Sequence, residues 1–371
     1  MTTSRLPVGD SELVGLPTQP QGVNWPGNSW EVGPQLTGDP AQLQSLLDQA
    51  FDPAAVGVLG QSLACLVVQG GKIVAERYSP EVTDQTPLIS WSVGKSITHA
   101  AVGILVADGL LDPTAPINAP EWASTGDPRQ SITMVDLLEM RSGLHFVEEY
   151  VDNKASNCLE MLFGPGAEDV AGYAASQPLE HPVGEVFNYS SGTTNIIARH
   201  ISQVLGAGDS PIERRRVMND FLVSRLFGPL GMNTAEPRFD AAGTFVGSSY
   251  LFASAQDFAR FGLFYLRDGV WDQSRILPAG WVDSARTAVS VDPEDGWLYG
   301  QHWWVRKSSR GDSPSGDAFW ANGYEEQIVM CIPSSDTVLV RLGKTTADQR
   351  DSFELYWDAV VDVCTDQPRP Q

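Results

Sequence analysis

The segment Ile89–Thr98 places a serine, a lysine and the start of an apolar helical pattern together, and it constrains the chain more than any other stretch. Ser92 and Lys95 are three residues apart, so a helix that begins at Ser92 carries both on one face. A partly desolvated lysine can take the proton of a neighbouring serine hydroxyl, and a helix N-terminus offers N–H groups to an oxyanion. The pattern predicts a nucleophile with its base. Taken alone, it also fits a helix-capping serine beside a solvated lysine.

Length and charge restrict the class of protein. The chain has 371 residues, of which 42% are hydrophobic, which predicts one large domain with an insertion or two closely packed domains. Its net charge of −22 would repel nucleic acid and anionic membranes. We find no bilayer-spanning apolar stretch and no secretory leader pattern, so we expect a cytoplasmic monomer or homodimer that acts on a small molecule.

The cysteines and histidines point to no metal site. Cys65 and Cys331 fall in apolar, strand-like runs, which favours buried free thiols over disulfides. The five histidines show no H-x-x-x-H spacing, so we expect no metal and no other cofactor. No serine lies in a G-x-S-x-G elbow, which argues against an α/β-hydrolase.

Strand patterns lie near both chain ends, and helical patterns dominate between them. A hairpin with Gly70-Gly71 at its turn is predicted near the start, and three strands are predicted near the end. We therefore expect an α+β fold, with an antiparallel sheet of about five strands from both chain ends, flanking helices and a mostly helical inserted domain. The predicted divisions are an irregular arm over 1–38, a sheet domain over 39–130 and 246–371, and the insertion over 131–245.

Tyr189-Ser190-Ser191 is the second chemical motif, on a loop before a predicted helix near Asn195. A phenol beside a lysine ammonium is expected to have a lowered pKa and to pass a proton between nucleophile and leaving group. The alternative is a buried tyrosine with a satisfied hydroxyl.

Together these motifs resemble the serine β-lactamase and penicillin-binding-protein superfamily. The match is to its class C-like branch of esterases and 6-aminohexanoate-dimer hydrolases, and it runs from about residue 40 to the C-terminus. It rests on Ser92-Val93-Gly94-Lys95 followed by Tyr189-Ser190-Ser191. Further similar segments are 140–144, 149–152, 228–232 and 254–262.

The resemblance implies a β-lactamase/transpeptidase-like fold and a role for each motif residue. Ser92 would be the acylated nucleophile, Lys95 would take its proton, and Tyr189 would share the relay and protonate the leaving group. The oxyanion hole would combine the Ser92 N–H with an N–H from the strand that opens near Gln327. Water would then hydrolyse the acyl-enzyme.

The family's third motif, a Lys or His followed by Thr or Ser and Gly, is missing in its standard form. Asn322-Gly323 is the best-placed segment and keeps the glycine without a cation, whereas Lys344-Thr345-Thr346 follows the last strand too closely. With Glu325 nearby, a penicillin-like anion would be poorly received, so the sequence favours carboxylic esters or small linear amides.

Substrate-binding candidates surround this segment. The resemblance implies that Asp152 binds a substrate amine, although a surface aspartate in a turn is the alternative. Trp304 could line the acyl pocket or belong to the core. The full predicted set for substrate binding is Asp152, Asn322, Gly323, Glu325 and Trp304.

Other functions stay open at this point. A β-lactamase or a D-amino-acid peptidase would use the same nucleophile. A non-catalytic, penicillin-binding-like scaffold would not become acylated at Ser92.

Overall fold

The structure is a computed structural model that describes residue 6 and residues 13–150, 155–307 and 316–365. This part of the chain contains thirteen β-strands. In chain order they are β1 (Gln61–Gln69), β2 (Lys72–Tyr78), β3 (Leu88–Ile89), β4 (Glu236–Pro237), β5 (Leu251–Ala253), β6 (Val270–Trp271), β7 (Ser274–Arg275), β8 (Ser290–Val291), β9 (Trp297–Tyr299), β10 (Trp304–Lys307), β11 (Phe319–Gly323), β12 (Gln327–Ile332) and β13 (Thr337–Lys344).

Eight of these strands form one antiparallel sheet in the order β2-β1-β13-β12-β11-β10-β9-β8. Strand β1 pairs with β13, so the two chain ends meet in the middle of the sheet. This confirms the expected α+β class and the joining of both ends. The expected count of about five strands is too low because β8 and β9 are too short to show a period, and β11 was not recognised as a strand. The single strand predicted over 299–306 is two strands, β9 and β10.

Twelve α-helices accompany the strands in the described ranges. They are α1 (Pro40–Ala50), α2 (Val56–Leu59), α3 (Val93–Ala107), α4 (Met134–Leu138), α5 (Asn157–Phe163), α6 (Val170–Ala175), α7 (Ser191–Val204), α8 (Pro211–Leu222), α9 (Gly228–Leu230), α10 (Ala255–Leu266), α11 (Trp281–Arg286) and α12 (Arg350–Thr365). A π-helical turn, Val223–Phe227, joins α8 to α9. Polar caps mark several of their starts, since Asp39, Ser190 and Ser254 each accept a backbone N–H of the following turn.

The sheet separates two hydrophobic cores. On one face, α3 and α10 pack with the helices of the middle segment, and on the other face α1 and α12 cover the sheet. Residues Val93 to Leu105 of α3 are all buried, because this helix is enclosed by α7 and by the sheet at β11. The N-terminal end of α3 therefore lies where sheet and helical region meet. The domain boundaries at 131 and 245 stay a prediction.

The described part of the N-terminal arm is tied to the body by polar contacts. Its backbone carbonyl at Pro26 accepts from Arg260, and the Gln19 side chain accepts from Arg267. All four cysteines are free and buried, as expected for Cys65 and Cys331. None of the helices in the described ranges has the length and apolarity needed to cross a bilayer.

Arg341 is the buried cation that fixes the hairpin between β11 and β12. From β13 its guanidinium donates to the carbonyls of Glu325 (2.8 Å), Glu326 (3.0 Å) and Gln61 (3.1 Å). Burial lowers the pKa of this guanidinium. A buried carbonyl without a donor is costly, so this side chain, together with Gln327, which donates to the carbonyls of Tyr324 and Glu325, stabilises the turn.

We expect Arg341→Met to lower the free energy of unfolding by roughly 3 kcal/mol, because buried carbonyls lose their donor. Chemical denaturation measures this value. Lys344→Met, at the exposed end of the same strand, is the control and should change it by less than about 0.5 kcal/mol. Equal effects of the two variants would contradict the role given to Arg341.

Candidate active site

Ser92 is presented by a strained turn at the start of α3. The preceding residue, Trp91, has a φ of 42°, which is unusual for a bulky side chain. Its ring packs edge-on against Tyr324 at 5.5 Å and lies 6.1 Å from Tyr250. These contacts hold the turn, so that the Ser92 hydroxyl is at the helix N-terminus.

The geometry excludes the capping alternative for this motif. Ser92 is at the N-cap position, but its side chain makes no capping hydrogen bond and its own backbone is already helical. Lys95 is only 1% exposed, so it is not a solvated lysine. Both side chains face the interior of the protein instead.

Lys95 is surrounded by oxygen atoms from three parts of the chain. Its Nζ lies 2.8 Å from Ser92 Oγ, 2.9 Å from Ser191 Oγ and 3.3 Å from the carbonyl oxygen of Ser248. Burial lowers the pKa of Lys95, and the carboxylate of Glu148, 4.0 Å away, acts in the opposite direction. A lysine with a lowered pKa in contact with a serine hydroxyl can act as its base.

Tyr189 lies beside this pair, as the sequence predicts. Lys95 Nζ is 4.8 Å from the centre of the Tyr189 ring, and Trp304 stacks on the ring at 5.4 Å. The expectation of a lowered phenol pKa is wrong. Burial, assisted by the charge of Glu148, raises the pKa of Tyr189, and a hydrogen bond with Ser92 offsets this only in part. Tyr189 therefore remains protonated and can donate a proton.

Glu148 is the residue of this site that the sequence did not single out. It lies on an irregular loop after α4, and its side chain is 10% exposed. Its carboxylate accepts from the backbone N–H of Ser191 (2.8 Å), from the Ser191 hydroxyl and from the Tyr150 hydroxyl (2.7 Å). An isolated glutamate on a loop shows no periodic pattern in the sequence. Only its position next to segment 149–152, which resembles the family, could have drawn attention to it.

The end of strand β11 forms the opposite wall. A Cβ atom at Gly323 would lie 2.5 Å from the carbonyl oxygen of Ser90 and 3.1 Å from the backbone nitrogen of Ser92. Gln327 pairs with Gly323 across the hairpin, and its side chain binds the backbone of Gly343 on β13. The end of β11 at Gly323 therefore lies against the backbone of Ser90 and Ser92, and Gln327, its partner on β12, stays a predicted oxyanion-hole residue.

The remaining substrate-binding candidates have different placements. Trp304 lines the site through its stacking on Tyr189. Asn322 precedes Gly323, so alternation along β11 directs its side chain to the opposite face. The Glu325 carbonyl accepts from Arg341, which places this residue in the hairpin. Asp152 lies outside the described residues.

Cations are absent from the neighbouring positions of β11. Two residues before Gly323, on the same face of the strand, is the buried Ala321. In the described ranges no three His, Cys, Asp or Glu side chains are grouped closely enough to hold a metal ion. The expectation that the protein uses no cofactor stays an expectation.

Comparison with known proteins identifies the family of the chain. Residues 54–361 match the family model described as Beta-lactamase. The chain is 26% identical over 320 residues to the 6-aminohexanoate-dimer hydrolase of Paenarthrobacter ureafaciens, covering 81% of this chain and 77% of that protein.

Solved structures show the same fold. A Bacillus anthracis protein, provisionally assigned as a 6-aminohexanoate-dimer hydrolase, superposes with a TM-score of 0.69 at 19% identity, over 94% of this chain and 89% of its own. A penicillin-binding protein homologue from Caulobacter crescentus superposes with a TM-score of 0.63 at 14% identity, over 89% and 97%.

The paired Ser92 and Lys95, on a helix that abuts an antiparallel sheet, define a serine hydrolase. The chain belongs to the beta-lactamase family, and the 6-aminohexanoate-dimer hydrolase is among its relatives.

We expect Gly323→Ala to slow acylation of Ser92 by about a hundredfold, because the added methyl group would meet Ser90 O and displace the strand from Ser92 N. Pre-steady-state release of p-nitrophenol from an ester substrate measures this rate. Gly57→Ala, where a methyl group meets nothing within 4 Å, is the matched control. An unchanged rate in the Gly323 variant would show that this approach does not matter for catalysis.

Proposed function

We propose that the protein hydrolyses carboxylic esters or small linear amides through an acyl-enzyme on Ser92. The observation that carries this proposal is the 2.8 Å contact between Ser92 Oγ and the buried Nζ of Lys95. A lysine in such a place is able to lose its proton at a pH where an exposed lysine would keep it.

The acylation step follows from these positions. Ser92 Oγ attacks the carbonyl carbon of the substrate while its proton moves to Lys95 Nζ. The resulting oxyanion is stabilised by the backbone N–H of Ser92 and by an N–H at the Gly323 end of β11, and Gln327, which pairs with Gly323, stays the alternative donor. The C–O or C–N bond then breaks, and Tyr189 donates its proton to the leaving group and regains one from Lys95.

Deacylation reverses the same transfers. A water molecule attacks the ester carbon of the acyl-enzyme and loses a proton to the Tyr189–Lys95 pair. The bond between the carbonyl carbon and Ser92 Oγ breaks, and Ser92 Oγ takes the proton back. Because the pKa of Tyr189 is raised, the tyrosine relays protons as a phenol and does not act as a standing phenolate base.

The substrate class follows from charge and from the relatives. Strand β11 offers the buried Ala321 where a cation would hold a β-lactam carboxylate, so a penicillin-like anion finds no partner there. Glu148 and the aromatic rings of Tyr150 and Tyr324, stacked at 4.7 Å, favour a neutral or cationic chain. Linear amides similar to the 6-aminohexanoate dimer, after which the related hydrolase is named, are therefore the amide substrates we propose. Asp152 stays a predicted partner for their amine.

Intact-protein mass spectrometry during turnover of a short-chain p-nitrophenyl ester tests this proposal. We expect one acyl group on the wild type and none on Ser92→Ala, with a burst of p-nitrophenol only from the wild type. An adduct that persists in Ser92→Ala would place the nucleophile elsewhere. Absence of both turnover and adduct from the wild type would favour a non-catalytic scaffold.

The pH dependence gives a second test. Lys95 must be neutral to act as a base, so kcat/KM should rise as the pH rises through the pKa of Lys95. Burial lowers this pKa, so the rise should be centred below the ordinary lysine value of about 10.4. Lys95→Arg keeps its proton at all accessible pH values and should lose activity by orders of magnitude. Near-wild-type activity in that variant would remove Lys95 from the mechanism.

A further inference from the structure

The Glu148 carboxylate receives more hydrogen bonds than the proposed reaction requires. One oxygen accepts the Ser191 N–H at 2.8 Å, and the other accepts the hydroxyl protons of Ser191 and Tyr150. A carboxylate accepts and does not donate, so both hydroxyl groups must point their protons at it. The Ser191 oxygen is therefore left with lone pairs for its other neighbours, the amine of Lys95 and the thiol of Cys158.

This arrangement limits how a neutral Lys95 amine can turn. The amine has two N–H donors and one lone pair, and three oxygen atoms surround it. The Ser248 carbonyl can only accept, and its residue is held in place by the side chain of Asn195, which accepts the Ser248 N–H at 3.2 Å. The Ser191 oxygen also accepts, because its own proton is given to Glu148. Both N–H groups are thus used, and the lone pair faces Ser92.

We infer that Glu148 is a positioning residue that fixes the direction of the hydrogen bonds around Lys95, so that the lone pair of the neutral amine points at the hydroxyl proton of Ser92. This inference rests on the proposed function and adds a residue to it. Without the carboxylate, the Ser191 hydroxyl is free to donate to Lys95 and occupy the lone pair that Ser92 requires.

Other groups near Lys95 share its electrostatic field. They are Tyr189 on the loop before α7, Cys158 on α5 and His302 between β9 and β10. Burial keeps His302 neutral by lowering its pKa to about 3, and burial also raises the pKa of Cys158, so neither contributes a charge near neutral pH. Glu148 raises the pKa of Lys95 against the effect of burial. Its removal should therefore move the acidic limb of the pH profile to lower pH.

The test uses the full-length enzyme with p-nitrophenyl acetate and measures acylation and deacylation separately by stopped flow from pH 5 to 10. The variants are Glu148→Gln, Ser191→Ala and the double variant. Glu148→Gln should acylate about 10- to 100-fold more slowly at its pH plateau, with the acidic limb displaced to lower pH. Because both residues act through one hydroxyl, adding Glu148→Gln to Ser191→Ala should change the rate less than about threefold.

Several outcomes would overturn the inference. An unchanged acylation rate in Glu148→Gln would contradict the inference. A double variant whose loss of acylation rate equals the product of the two single losses would show that Glu148 does not act through Ser191. Slowed deacylation with normal acylation would instead make Glu148 a base for the incoming water. If Glu148→Gln does not fold, Ser191→Ala alone must still slow acylation at least tenfold, and normal acylation there is equally contradictory.

A neighbouring substitution and the wild type separate this inference from the proposed function. Glu149→Gln removes the same charge one residue along the loop and should keep the wild-type pH profile. A wild-type enzyme that forms no adduct at Ser92 would overturn the proposed function. If the wild type and Glu148→Gln both acylate at the normal rate, only the role of Glu148 is overturned.

Discussion

The burial of one amine beside one hydroxyl is the constraint on which the rest of the site depends. Burying an ammonium group raises the free energy of the protein unless its N–H donors are satisfied. Burial disfavours the neutral amine less. Lys95 is buried by α3, by the start of α7 and by the segment around Ser248, and each supplies an oxygen atom to it. The fold brings together three distant parts of the chain to create a base that an isolated lysine could not be.

The sheet forms the opposite wall of the site at Gly323, a residue without a side chain. At Gly323 the end of β11 approaches the backbone of Ser92 so closely that a methyl group would not fit. This approach depends on the hairpin that follows, which is held from β13 by Arg341 and by the backbone contacts of Gln327. Strand β13, which carries Arg341, pairs with β1, so the strand that holds this hairpin is itself held in the middle of the sheet.

Local patterns were sufficient to predict the main parts of this arrangement. The helix of Ser92 and Lys95, the turn before α7 that carries Tyr189, and the hairpin of β1 and β2 are all determined by spacing or turn residues close in sequence. The alternative of a capping serine could not be excluded from the sequence, because it depends on whether the lysine is buried. Burial is a property of the assembled fold.

The features that the sequence did not predict also depend on the assembled fold. The pKa of Tyr189 was expected to fall because only the lysine was considered, and burial and Glu148 reverse that direction. Strand β11 was not recognised, because its short run of residues includes two aromatics and a glycine without clear alternation. Glu148 gave no signal because its importance comes from partners at Ser191 and Tyr150 that meet only in the folded chain.

The most direct test of the account is the titration of Lys95 itself. Lysine labelled with carbon-13 at the ε position can be followed by NMR as the pH is raised, with Lys95→Arg used to assign the signal. We expect a midpoint below the ordinary lysine value of about 10.4 that coincides with the acidic limb of the acylation rate. A midpoint at or above the ordinary value, with acylation already complete at lower pH, would show that Lys95 is not the base that activates Ser92.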